Sequence, residues 1–186
     1  MAASDLLTIE GYACLFDIAD LGRDMVLPGA FAASLARQGP SGVRMLYQHD
    51  PAEPIGVWTE VKEDARGLFV RGRLSPQVAR ARECAALIRE GALDGLSIGF
   101  KAVAARTDPR TRLRRISRID LWEVSIVTFP MQPGARIARA VVTQAAEAPP
   151  ASASTLPSST LPSSALPSSA ARVSAAAARL RAALGA

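Results

Sequence analysis

The sequence predicts a β-rich α+β fold, drawn as either a small barrel or a strongly bent sheet with helices laid against it. Many short segments alternate apolar and polar residues at period two. Two segments carry a helical stripe, and they do not alternate regularly with the strands, which argues against a doubly wound parallel sheet. Leu6–Phe16 alternates loosely and is expected to be the first strand. Pro28 and Gly29 then open a short helix through Ala36, closed by Gly39 and Pro40. Val43–Tyr47 and Ile55–Val61 are expected strands on either side of the turn HDPAEP, and Val61–Leu74 is a hairpin turning at Asp64–Gly67. Ser75 can cap a second helix, with Pro76 where no amide partner is needed. Val78, Ala81, Ala85 and Ile88 supply its apolar stripe, and Gly91 its stop. Leu96–Ala104 and Leu113–Phe129 are long strands joined by a turn around Asp108-Pro109.

The chain has 186 residues, enough for one domain of ordinary size but not for two. Composition changes abruptly near Ala145. Residues 1–144 are expected to form the globular domain, and residues 145–170 a Pro/Ser/Ala-rich disordered linker holding the repeat STLPS, STLPS, SALPS. Residues 171–186 are a short helix-prone tail in which Val173, Ala177, Leu180 and Leu184 recur on one face. No window is apolar enough to span a bilayer, and the start MAASDLLTIEGY lacks a signal-peptide pattern, so a soluble cytoplasmic protein is expected. Cys14 and Cys84 can pair only once and match no zinc or redox spacing. With His49 as the one histidine, sites built from several imidazoles are excluded.

The net charge of +5 invites a nucleic-acid reading. The densest basic run, Arg106–Arg118, lacks the interleaved aromatics of a single-strand binder, so a solvated hairpin is favoured and association with an acidic protein partner stays open.

Three segments place polar groups inside strand patterning: Tyr47-Gln48-His49-Asp50, Gly95-Leu96-Ser97-Ile98-Gly99-Phe100 and Leu121-Trp122-Glu123-Val124-Ser125-Ile126-Val127. Each has a plain structural alternative: a surface histidine at a strand end, a buried hydroxyl bonded to a carbonyl, a carboxylate on a solvent face. Gly95 and Gly99, on the face of Ser97, strip side chains from around its hydroxyl. In LWEVSIVTF, Leu121, Glu123, Ser125 and Val127 share one face. A serine needs a base to act as nucleophile, and an acid beside that base selects its tautomer. The chain order His49, Ser97, Glu123 permits such a set.

The His49 segment with Pro51 and Ile55-Gly56, the element GLSIGF and the segment EVSIVTFPMQPGA together resemble the capsid maturation (prohead) serine proteases of tailed phages. The opening GYACLFD and the LPGAF stretch match the start of that family, and the resemblance covers roughly residues 8–137. It implies a fold related to the herpesvirus assembly proteases, a small closed β-barrel surrounded by helices. It also implies Ser97 as nucleophile and His49 as general base. The herpesvirus enzymes use a second histidine as third member; this chain has none, and Glu123 occupies the corresponding place, with Asp120 the competing acid and Asp50 a weaker candidate. Oxyanion donors are not identified, and Arg136 is kept open as an arginine contribution.

The implied function is a serine endopeptidase, needing no metal or organic cofactor. Its implied substrates are the N-terminal segment of the major capsid protein, the scaffold and the protease itself, cut inside the immature capsid in the host cell. No nucleic acid or membrane partner is expected, and self-association stays open. The rival readings are a non-catalytic capsid assembly or scaffolding protein and a basic nucleic-acid-binding β-barrel.

Overall fold

The computed structural model describes residues 6–143, and the expected linker over 145–170 and tail over 171–186 lie outside them. Eight strands and two helices run in the order β1 (Leu6–Leu15), β2 (Asp24–Val26), α1 (Ala32–Gln38), β3 (Arg44–Tyr47), β4 (Asp50–Glu63), β5 (Gly67–Leu74), α2 (Ala79–Arg89), β6 (Gly95–Thr107), β7 (Arg114–Val127) and β8 (Ile137–Thr143). The strands make one mixed sheet in the order β2-β7-β3-β4-β5-β1-β8, with β6 also paired to β7.

β7 is the hub. Along its length it pairs antiparallel with β6 from Gly95↔Val127 to Thr107↔Arg114, and parallel with β2 at Arg114–Ile116 and with β3 at Glu123–Ile126. A strand flanked on both edges and covered on both faces is mostly apolar, and any polar side chain buried on it needs an internal partner. From Glu123 to Val127 every residue of β7 is buried. Leu7 and Ile9 of β1, Ile55 of β4, Leu68 and Val70 of β5 and Leu121 and Ile126 of β7 form the centre of the core. Each such side chain contributes about 1.5–3 kcal/mol on burial. Of the expected α2 stripe, Ala81, Ala85 and Ile88 are buried, with Cys84 beside them, while Val78 is half-buried and precedes the helix. Both cysteines are free and buried, and desolvation pushes the Cys14 thiol up to about 12 and Cys84 to about 11.

The β-rich α+β architecture is as expected, but the sheet is open and there is no closed barrel among the described residues. β6 approaches the β8 side at a single bridge, Gly95↔Arg136, made by Leu96 N–H to the Ala135 carbonyl (2.9 Å) and Ile137 N–H to that of Asp94 (2.8 Å). Beyond it β6 runs outward with β7 while β8 turns onto β1, so the two ends of the sheet do not join.

Local differences have local causes. α1 begins at Ala32, because Gly29, at φ +85°, is spent in the preceding turn, where the Ala30 amide meets the Leu27 carbonyl (3.2 Å). α2 begins at Ala79, with Ser75 offering its carbonyl to the Val78 amide (3.1 Å) rather than its hydroxyl as a cap. β8 escapes sequence reading because none of its residues is buried, so no alternation marks it.

Candidate active site

The connection between β3 and β4 is two residues long, Gln48-His49, because Tyr47 and Asp50 already pair across it. Both connecting residues have positive φ, 53° and 61°. A right-twisted two-residue hairpin requires this geometry, and sequences usually meet it with Asn-Gly. For residues with a Cβ it costs roughly 1–2 kcal/mol each. β7 holds the turn in place: the Gln48 amide donates to the Ile126 carbonyl (3.0 Å), the His49 amide to the Ser125 hydroxyl (3.1 Å), and Gln48 Nε2 to Thr128 Oγ1 (2.7 Å). The strained turn thereby aims the His49 ring back over β7.

Glu123 meets it there, with His49 Nδ1 2.5 Å from Glu123 Oε1. A carboxylate only accepts, so the proton lies on Nδ1, and Nε2 is the nitrogen left to act as base. Glu123 Oε2 accepts the Ser125 hydroxyl at 2.7 Å. Ser125, fully buried, thus holds both the carboxylate and the backbone of the histidine. Glu123 is itself buried at 8% exposure, which removes the alternative of a carboxylate on a solvent face. Its hydrogen bond raises the His49 pKa above the ordinary 6.5, against the opposing effect of the ring's partial burial.

Ser97 sits on β6 directly across from Ser125, with Gly99 across from Glu123. Residues opposite one another share a face, at roughly 4.5–5.5 Å between Cβ atoms. Ser97 therefore lies one strand spacing from the serine whose hydroxyl touches His49. No hydrogen bond joins Ser97 to His49 among the described residues. Ser97 lines an open cleft of about 220 Å³ with Ala13, Asp20, Phe100, Met131 and Gln132 among its walls. A Cβ at Gly99 would collide with the Glu123 carboxylate, so this glycine makes room for the acid rather than for the serine hydroxyl.

The other acids are elsewhere. Asp120 is tied to Arg37 and accepts the Trp122 indole N–H at 3.2 Å, and these bonds, the indole first, hold its carboxyl below the usual range. Asp50 caps the Ala52 amide at 2.8 Å. Arg136 is paired with Asp94 and bonded to the Pro133 carbonyl. Sequence reasoning missed the role of Ser125; its place two residues from Glu123 on one strand face was the available sign.

The sequence profile of the caudovirus prohead serine proteases matches residues 2–149. The chain belongs to that family. Among its relatives, the prohead protease of Enterobacteria phage HK97 is 38% identical over 134 residues, 69% of this chain and 58% of that protein. The prohead protease of Escherichia phage T5 is 31% identical over 86 residues, 46% of this chain and 40% of that one. The chain thus spans less than two thirds of the length of these relatives. In fold it is similar to the capsid assembly protease of bacteriophage T4, with a TM-score of 0.54 at 15% identity over 66% of this chain and 82% of that one.

Proposed function

We propose that this chain is a serine endopeptidase of prohead maturation, with Ser97 as nucleophile, His49 as general base and Glu123 as the acid that orients it. The observation that carries the reading is the His49 Nδ1 to Glu123 Oε1 contact at 2.5 Å, on the sheet face that also bears Ser97. In the reaction, His49 Nε2 takes the Ser97 proton as the hydroxyl oxygen attacks a peptide carbonyl, and the imidazolium then gives that proton to the leaving amine. Water attacks the resulting ester with His49 again as base, releasing the acid product and restoring Ser97. Glu123 stabilises the imidazolium through both half-reactions without taking its proton.

Membership of the family supports the substrates: the N-terminal segment of the major capsid protein, the scaffold and the protease itself, cut inside the immature capsid in the host cell. In this reading residues 1–144 are the catalytic part. The test is coexpression of the full chain with the capsid protein, followed by mass spectrometry of that protein. The wild type should yield a truncated capsid protein, while Ser97→Ala and His49→Ala should leave it whole. Cleavage that persists in either variant would overturn the assignment and favour a non-catalytic assembly protein.

A further inference from the structure

The β6–β7 ribbon concentrates charge that the proposed chemistry does not use. Between Lys101 and Arg118 stand seven Lys and Arg against one acid, Asp108, a net of +6 in a chain whose total is +5. The rest of the chain is therefore close to neutral. All seven cations are exposed, and among the described residues only Arg114 has an ion-pair partner, Asp24. The Asp108 carboxylate is occupied by the turn itself, accepting the amides of Arg110 (2.8 Å) and Thr111 (3.1 Å). Arg106 and Arg115 lie directly opposite each other in the ladder, an arrangement that destabilises a strand pair. Arg23 adds one more cation at the tip by donating to the Thr111 carbonyl (3.0 Å).

Nearer the body of the fold the same ribbon carries apolar surface. A groove of about 510 Å³ is walled by Arg37 of α1, by Lys101, Val103 and Arg118, and by Asp120, which Arg37 already neutralises. Val103 is 47% exposed, and Trp122, bonded to Asp120 at the groove's rim, is 55% exposed.

We propose that this ribbon is a docking surface for an acidic protein segment that carries apolar residues among its carboxylates. Guanidinium groups match carboxylates in paired hydrogen bonds, and a facing row of acids relieves the repulsion between Arg106 and Arg115. The phosphates of a DNA duplex offer nothing to Val103 or Trp122, its bases being already stacked on one another, and the basic residues 101–118 have no aromatics interleaved among them to stack unpaired bases. The proposal stands on charge placement and is independent of the peptidase reading.

The test uses the full chain and fluorescence anisotropy with three labelled probes: poly-L-glutamate, a random glutamate–tyrosine copolymer and a short DNA duplex. The expected order is copolymer, then polyglutamate, then duplex, with salt-sensitive binding throughout. Arg106→Gln with Arg115→Gln should weaken copolymer binding by about tenfold while raising the melting temperature of the free protein, because the facing cations are gone. Trp122→Ser should cancel the preference for the copolymer over polyglutamate. The same loss of charge at Arg73→Gln with Arg89→Gln should leave binding within about twofold of wild type. Equal losses in both double variants, tighter binding of the duplex, or no binding of either polymer would each overturn the proposal.

Discussion

Gly99 lies directly across the β6–β7 ladder from Glu123, and the space a methyl group would fill at Gly99 is held by the Glu123 carboxylate. Gly99→Ala must therefore push that carboxylate from its 2.5 Å contact with His49 Nδ1. Misplacement of a catalytic group by about 1 Å can cost roughly a hundredfold in turnover. The expected outcome is a fall of that order in kcat for capsid-protein cleavage, with far-ultraviolet circular dichroism unchanged. A variant with wild-type turnover would show that the His49–Glu123 contact is dispensable.

Ser125 is the second support of the same contact, and it works through hydrogen bonds rather than space. Its hydroxyl donates to Glu123 and accepts the His49 amide, and it is fully buried. Ser125→Ala leaves the buried Glu123 carboxylate oxygen and the His49 amide without their partner, which costs about 1–3 kcal/mol in stability. It also frees the strained Gln48-His49 turn to relax, so kcat should drop while KM changes little. Denaturant unfolding and initial-rate kinetics on one preparation check both parts.

Much of this site could be read from the chain because strand alternation is local. Ser97 between Gly95 and Gly99, and Glu123 with Ser125 at two-residue spacing, announce their faces without knowledge of the fold. The turn beside His49 could not be read so. Asp50, Pro51 and Pro54 draw the expected turn into HDPAEP, yet those residues begin β4, and the chain reverses at Gln48-His49. Three bonds from Ser125, Ile126 and Thr128 outweigh the turn propensities, and nothing near His49 in sequence reveals them. Sheet closure is nonlocal in the same way, since it depends on which edges meet. The departure of β6 from β8 after the Gly95↔Arg136 bridge leaves no mark in either segment.

The pH dependence follows from one titration. The Glu123 hydrogen bond raises His49 above its ordinary 6.5, so the folded state binds the imidazolium proton more tightly than the unfolded chain. The stability this supplies is fully present below 6.5 and is lost as pH rises through the raised folded value. Under the proposed mechanism activity has the opposite sense, because there only a neutral His49 accepts the Ser97 proton, so the acid limb of kcat/KM should lie above 6.5. Glu123→Gln should move that limb to lower pH and reduce the plateau by roughly 10²–10⁴-fold. With one histidine in the chain, a single imidazole resonance followed by NMR reports the folded-state value directly. An unmoved resonance titration in Glu123→Gln would falsify the pairing.

Gln132 connects two distant parts of the chain at the edge of the Ser97 cleft. Its Oε1 accepts the Leu15 amide at 2.6 Å, and its Nε2 donates to the carbonyls of Leu15 (3.0 Å) and Ile18 (2.9 Å). These bonds satisfy backbone groups at the end of β1, where the strand leaves its partners. Gln132→Ala removes all three at once, in a place that water reaches only partly, since the side chain is buried. The loss should be about 2–3 kcal/mol, dominated by the unpaired Leu15 amide and carbonyl. Hydrogen exchange distinguishes this local effect from global destabilisation. The Leu15 amide should lose protection well beyond the general decrease, while amides of Val124 and Ile126, deep in β7, should follow the global change alone. Equal losses at all three positions would mean that Gln132 contributes through the cooperative fold and not as a tether for the cleft.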